Sequence, residues 1–412
     1  MLMDPRIRNL TPRSLPMITI TTELLAIILL ALTLQDAFEV MLLPRAIHRQ
    51  VRLVRYYYRA SWAAWRAIAR RLPAGHKREH FLAIYGALSM VTLFAAWAGS
   101  LIVGFGLLFW ALRAETQTTL ADHLYMSGVT FFTLGYGDMV PHSAFSRLLA
   151  VTEGGTGFGF IAVVIGYLPV LYQLFSRREA HVILLDARAG TPPTALGLFW
   201  RHPGQDGAIQ INTVLRTWEI WGAELLESHL SYPMLAYYRS QHENQSWLGV
   251  LAVIMDTCAL LLVGHHAASP IQARMTFTMV RQILTQMAQS FGLAPSRYTG
   301  GDRLDHAGFL QLKGNLAAAG LELDDDVEEI LAALRATYEP LLDGLAVYLM
   351  LPLPNWRANG GARDHWTRGP RGTLARRLVE ELSEQDGGDV KTGTAFSNAN
   401  RWRRLRARLR PD

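Results

Sequence analysis

Thr133-Leu134-Gly135-Tyr136-Gly137-Asp138 is a run whose backbone, more than its side chains, can do chemistry. Glycine takes positive φ without a Cβ clash, so Gly135 and Gly137 let successive carbonyls turn to one side. A ring of such carbonyls can replace the water around a cation. Non-helical backbone at membrane depth is tolerated only where it is buried in protein or lines a watery cavity. If the flanking segments span a bilayer, this run must line something.

Those flanks are apolar enough to span. Residues 81–112 carry no charge, and residues 148–175 carry only Glu153; both exceed the roughly 20 residues a helix needs to cross. Residues 17–43 form a weaker candidate, interrupted by Glu23, Asp36 and Glu39. Two other readings of that segment are a signal peptide, although no A-x-A-like site follows Leu34, and an interfacial or re-entrant helix. The composition agrees with a membrane protein: half of the 412 residues are hydrophobic and the mean hydropathy is +0.13. A single cysteine, Cys258, excludes an intrachain disulfide framework.

Orientation follows from charge. Residues 44–79 hold ten Lys/Arg against one acid, whereas residues 113–144 hold one Arg against three acids. The positive-inside rule places the first loop in the cytoplasm, the Thr133–Asp138 run outside, and everything after residue 176 in the cytoplasm.

Span, short helix-compatible stretch (residues 121–132), T-x-G-Y-G-D and span together resemble the pore unit of tetrameric potassium channels, over roughly residues 81–175. The resemblance implies ion sites built from the backbone oxygens of Thr133, Leu134, Gly135 and Tyr136 with the Thr133 hydroxyl, so that the bound metal is K+. It implies that Tyr136 braces the loop and that Asp138 hydrogen-bonds behind the filter, supported by Gly137. Leu134 stands where Val or Ile is more usual, and Val129 where some relatives carry Glu, so Asp138 needs another partner. Tyr125, Phe131 and Phe132 read as packing residues, and His123 and His142 as bystanders flanking the filter. Pro141 and Arg147 fall where similar channels open the inner helix. The pore helix would aim its negative carboxyl end at a central cavity.

In the second span, "EGGTGFGF" (residues 153–160) imitates a phosphate loop, but no strand precedes it. Its glycines serve either close helix packing or, at Gly157, the family's gating hinge. Glu153 is expected to face the protein interior and brace the pore helix.

Arg45, Arg49, Arg52, Arg55 and Arg59 recur at helical spacing. A voltage sensor would need companion spans that the chain does not supply upstream, so the expectation is an amphipathic helix on anionic lipid, with Tyr56–Tyr58, Trp62 and Trp65 at the interface. Helices are expected at residues 208–229, 245–263, 270–291, 302–319 and 324–349. Residues 247–263 are apolar enough to raise the question of another span, but Asp256 at their centre favours a buried helix. His265-His266 lacks companions for a metal site, and Asp324–Asp326 suit a helix start better than a calcium loop. No dinucleotide fingerprint, nucleophile elbow, H-E-x-x-H or P-loop occurs, so neither an enzyme nor an organic cofactor is expected. From Pro352 a basic tail is expected, ending in six arginines over residues 401–412; anionic lipid, not nucleic acid, is its expected partner.

The expected fold is an all-α membrane protein, divided at residues 1–43, 44–79, 80–176, 177–351 and 352–412 into an N-terminal helix, basic juxtamembrane helix, pore domain, helical cytoplasmic domain and tail. The expected function is a homotetrameric, passive potassium channel whose cytoplasmic ligand the sequence does not name. Two alternatives stand beside it: a weakly selective cation channel, and a signalling protein that uses the pore unit to oligomerise.

Overall fold

The computed structural model describes residues 14–42, 53–112, 119–202, 205–241, 245–264, 270–293 and 302–357. It is an all-α membrane protein, and no β-strand occurs among the described residues. Among the described residues, three helices are long and apolar enough to cross a membrane.

The first, α1 (Ser14–Met41), is one continuous helix running antiparallel to α3 (His76–Ala111). Leu30 fills the notch at Gly104, and one and a half turns later Asp36 accepts from Trp97 Nε1 at 3.0 Å. Two of the three acids that interrupt the apolar pattern therefore turn inward: Asp36 and Glu39 are buried and Glu23 half-buried, while Leu24, Leu25, Ile27, Ile28 and Leu32 face outward. A helix that satisfies its acids internally leaves a continuous apolar outer face.

Asp36 also accepts from the Val54 backbone N–H at 3.4 Å, in the first turn of α2 (Leu53–Ala69). Here the expectation that Tyr58 and Trp62 lie at a lipid interface is corrected. Helix α2 stands antiparallel against the start of α3, with Ser61 Oγ 2.9 Å from Tyr85 Oη and Trp65 stacked on Phe81 at 4.3 Å. Tyr58 and Trp62 are buried in protein, not laid on an interface. The reason is that the C-terminal domain supplies an aromatic partner surface that the sequence pattern of α2 alone did not reveal.

A short helix, α4 (Leu120–Phe131), begins with a capping box in which Thr119 and Asp122 satisfy each other's backbone N–H groups. Helix α5 (Ala144–Ala189) then runs 46 residues without a break, ending only at Gly190 with φ 101°. The expected division at residue 176 falls inside it, because no glycine or proline interrupts residues 176–189.

The C-terminal domain comprises α6 (Ala195–Arg201), α7 (Gln205–Ser231), a 3-10 turn (Pro233–Tyr237), α8 (Trp247–Val263), α9 (Ile271–Ser290), α10 (His306–Ala318), α11 (Val327–Arg335) and α12 (Glu339–Leu349). Helix α8 is its axis: residues 247–261 are all buried. Asp256 pairs with Arg303 through both carboxylate oxygens and accepts from Tyr338 Oη at 2.8 Å. A charge inside an apolar domain needs such a partner.

Two expectations about the domain change. The single helix expected at 324–349 is two, because Pro340 can open a helix at its first turn but not continue one. The tail does not start at Pro352: Leu196 N donates to Trp356 O at 3.2 Å, Arg303 Nη2 to Pro354 O at 3.0 Å, and Trp356 is buried. His265-His266 and the arginines of residues 401–412 lie outside the described residues.

Candidate functional site

The site is built at the carboxyl end of α4. Thr133 N and Leu134 N donate back to Thr130 O and Val129 O at 3.0 and 2.9 Å, closing the helix, after which the chain changes hand at alternate residues. Thr133, Gly135 and Gly137 have φ of 57°, 60° and 80°, whereas Leu134 and Tyr136 between them keep negative φ. Alternating hands swing consecutive carbonyls to the same side, which neither a helix nor a strand does. For Thr133, a β-branched residue, this conformation is strained, and the closed α4 end holds it there. In the isolated chain Thr133–Asp138 are all exposed.

Behind the run, Tyr125 Oη donates to Asp138 Oδ2 at 2.9 Å. The partner that Val129 cannot provide thus comes from one helical turn earlier, and Tyr125 is more than a packing residue. Phe131 is buried, but Phe132 is exposed in the isolated chain. His123 is buried on α4 and His142 is exposed. Between α3, α4 and the segment after Asp138 lies a cavity of about 290 Å³, bordered by Phe109, Met126, Asp138 and Met139.

On the other side, α4 meets α5. Ser127 Oγ donates to Ile102 O of α3 at 2.8 Å and contacts Oε1 of Glu153, which is fully buried. One turn on, a Cβ on Gly157 would lie 2.0 Å from Phe131 O, so the two backbones touch there. A Cβ on Gly155 or Gly159 would meet nothing within 4 Å, and at Gly154 only an ordinary contact at 4.0 Å. Of the glycines in this run, Gly157 is the one that packing within the chain demands. Arg147 Nε donates to Pro141 O at 3.2 Å, fastening the entry to α5.

Three positions around the site were not given these contacts from sequence, Tyr125 having been read only as packing. Tyr125 carried a local signal, standing four residues before Val129. Ser127 carried none, since its meeting with Glu153 spans 26 residues. Pro169 lies inside α5, where it removes the N–H that would bind Ile165 O and weakens the helix against bending. Of the basic stripe, Arg45, Arg49 and Arg52 lie outside the described residues. Arg55 and Arg59 are exposed, with Nη2 atoms 3.6 and 3.9 Å from the Cβ position of Gly292, just past the end of α9. Cations at that end meet the negative pole of the helix.

Residues 85–173 match the family described as Ion channel, so the chain carries an ion channel domain that holds α4, the Thr133–Asp138 run and most of the membrane-crossing part of α5. The chain is 25% identical over 158 residues to an uncharacterized membrane protein, YdjJ, of Bacillus subtilis (strain 168), a match covering 37% of this chain and 44% of that one. It is 27% identical over 94 residues to Protein LctB of Geobacillus stearothermophilus, covering 19% of this chain and 69% of that one. The chain thus spans less than half of YdjJ. No solved structure matches.

Proposed function

We propose that this membrane protein with an ion channel domain is one of four identical subunits enclosing a passive potassium-selective pore. The observation that carries the reading is the alternation of hand from Thr133 to Gly137 at the end of α4. One chain offers a cation one arc of carbonyls, and closure needs rotational symmetry. The carbonyls of Thr133, Leu134, Gly135 and Tyr136 face K+, Asp138 is tied back by Tyr125, and Glu153 braces α4 through Ser127. The exposed apolar face of α5, with Phe145, Leu148, Val151, Phe158 and Ile165, is the surface neighbouring subunits cover. Gly157 keeps α5 against α4, and hinge motion belongs lower, near Pro169. The C-terminal domain lies in the cytoplasm, as the charge asymmetry of the loops directs, and regulates the pore. Exposed Arg55 and Arg59, with Arg45, Arg49 and Arg52, favour an anionic inner leaflet of the cell membrane.

The test is single-channel recording of the full chain in liposomes with mixed potassium and sodium, alongside its mass in detergent. The reading expects a tetramer with a potassium current well above the sodium current. A comparable sodium current points to the weakly selective channel, for which Leu134 would be the first residue to examine. A tetramer without current supports an oligomerising signalling protein and overturns the proposal.

A further inference from the structure

The 3-10 turn Pro233–Tyr237 lies where α2, α3, α5 and α12 converge. Met234, Leu235, Ala236 and Tyr237 are buried. Toward α5, Tyr167 Oη donates to Met234 Sδ at 3.2 Å, and Arg178 reaches under the turn: Nη1 donates to Leu235 O and Nη2 to Tyr238 O, both at 2.8 Å. Arg178 is buried, and Glu179 Oε1 balances its charge at 2.9 Å. Toward α2 and α3, the Tyr237 ring stacks on Tyr58 at 5.6 Å and packs on Trp62 and Tyr85 at 5.2 and 5.3 Å. Toward α12, Tyr237 Oη lies 3.1 Å from Tyr348 Oη. The Tyr238 ring fills the space between the outer and inner helices: three of its carbons lie 2.9–3.2 Å from the Cβ position of Gly86, and Phe175 packs on it at 5.7 Å.

We propose that this turn is a bracket through which the C-terminal domain sets the position of the lower part of α5, below Pro169, and so the open probability of the pore. The proposal rests on reading α5 as pore-lining. Above Pro169, Gly157 fixes α5 against Phe131; below it, Arg178 ties α5 to the turn. While the Tyr238 ring occupies the Gly86 notch, the lower part of α5 is held off α3; when the bracket leaves the notch, α5 can close on α3 by bending at Pro169. The joint carries no proton switch at its one histidine. His229 donates from Nδ1 to Leu225 O at 2.8 Å and turns Nε2 to Arg178 Nη1 at 3.5 Å. Burial and then the Arg178 charge push its pKa down to about 3, so it stays neutral at physiological pH. The drive must come from movement of the domain itself.

A reversible lock tests this. In the full chain, Gly86→Cys with Tyr238→Cys places two thiols on backbones whose side chains already touch, since the Cβ position of Gly86 is 3.0 Å from Tyr238 Cγ. A disulfide needs Cβ atoms about 3.5–4.5 Å apart, which this geometry allows. The native Cys258 is buried, and burial raises its pKa, so it does not interfere. Oxidation is expected to shift open probability tenfold or more, reduction to reverse it, and unitary current and ion preference to stay unchanged. Complete cross-linking that leaves open probability within twofold overturns the bracket, as does failure of two accessible thiols to cross-link at all. As a second variant, Tyr237→Leu keeps the turn apolar but removes the ring contacts, and it too must shift open probability tenfold; an unchanged value counts against the proposal. Absence of potassium current in wild type would instead bring down the pore reading, and the bracket with it.

Discussion

Helices α5 and α8 are both apolar, and the apolar run of each contains one buried acid, yet they solve that acid differently. In α8, Asp256 is held by a buried arginine and a tyrosine, within a domain that covers the helix on every side. In α5, Glu153 has, among the described residues, only the neutral Ser127 as its hydrogen-bond contact, and the helix leaves large apolar side chains such as Leu148, Val151, Phe158 and Ile165 uncovered. An apolar helix buried by its own chain can afford an ion pair, since the partner comes from the same fold. A helix whose covering is lipid or other subunits cannot recruit one so readily. The difference teaches that α8 is a core and α5 a helix whose apolar face its own chain leaves uncovered, although composition scarcely separates them.

The sharpest way to break the comparison is at the Thr133–Asp138 run. If the proposed reading holds, Gly135→Ala abolishes potassium current without dissociating the assembly, because φ 60° there disfavours any side chain. Undiminished flux would remove the functional meaning of α5's exposed face. Next, Asp256→Ala should cost the C-terminal domain about 1.5–3 kcal/mol by removing the two-oxygen partner of Arg303, which keeps Glu339 Oε1 at 3.3 Å, measured by denaturant unfolding. Glu153→Gln should cost far less, because the amide oxygen still accepts from Ser127 and no charged partner is left behind; equal losses would refute the contrast.

A middle-sized effect is expected at Gly157→Ala. The new Cβ would lie 2.0 Å from Phe131 O, so α5 must separate from the end of α4, and ion preference should change together with unitary current. A change confined to open probability would restore the hinge reading.

Smaller still is a pH effect in the domain. Asp343 is buried with one oxygen lacking a partner, and burial, then Glu339, push its pKa up to about 6. A raised acid pKa means the fold favours the protonated form: the contribution is fully present below about pH 4 and is lost as pH rises through about 6. Asp343→Asn should therefore be more stable than wild type by roughly 1–2 kcal/mol at pH 7.5, with the gain vanishing near pH 4, as thermal melts across pH would show. The smallest effect is reserved for Arg55→Gln with Arg59→Gln, worth about 0.3–1 kcal/mol per charge at the α9 end, without altering any voltage slope. A flattened slope would make α1 and α2 a reduced sensor.

The ion channel domain was largely legible because its signals are local. Uninterrupted apolar runs gave α3 and α5, and the glycine spacing at 135 and 137 gave the change of hand. Glu153 was read as inward-facing from its isolation among apolar residues. What escaped depended on chain segments far apart in sequence. Tyr58 and Trp62 looked like interfacial aromatics because their partners, Tyr237 and Tyr348, lie some 180 and 290 residues away. The 3-10 turn has too few residues for any periodicity, and the division of residues 324–349 turned on a single proline. Trp356 belongs to the core although its neighbours read as tail.

The length of α5 has a mechanical consequence. At 1.5 Å per residue its 46 residues form a rod of about 69 Å, more than twice the ~30 Å hydrocarbon core of a bilayer. The portion from Pro169 to Ala189 is a lever arm of roughly 30 Å. A bend of about 5° at the proline swings its far end by roughly 3 Å, about the size of a water molecule. A displacement that the helical domain can generate by ordinary side-chain repacking is therefore geared, through one stiff shaft, to the scale on which a hydrated pathway becomes wet or dry.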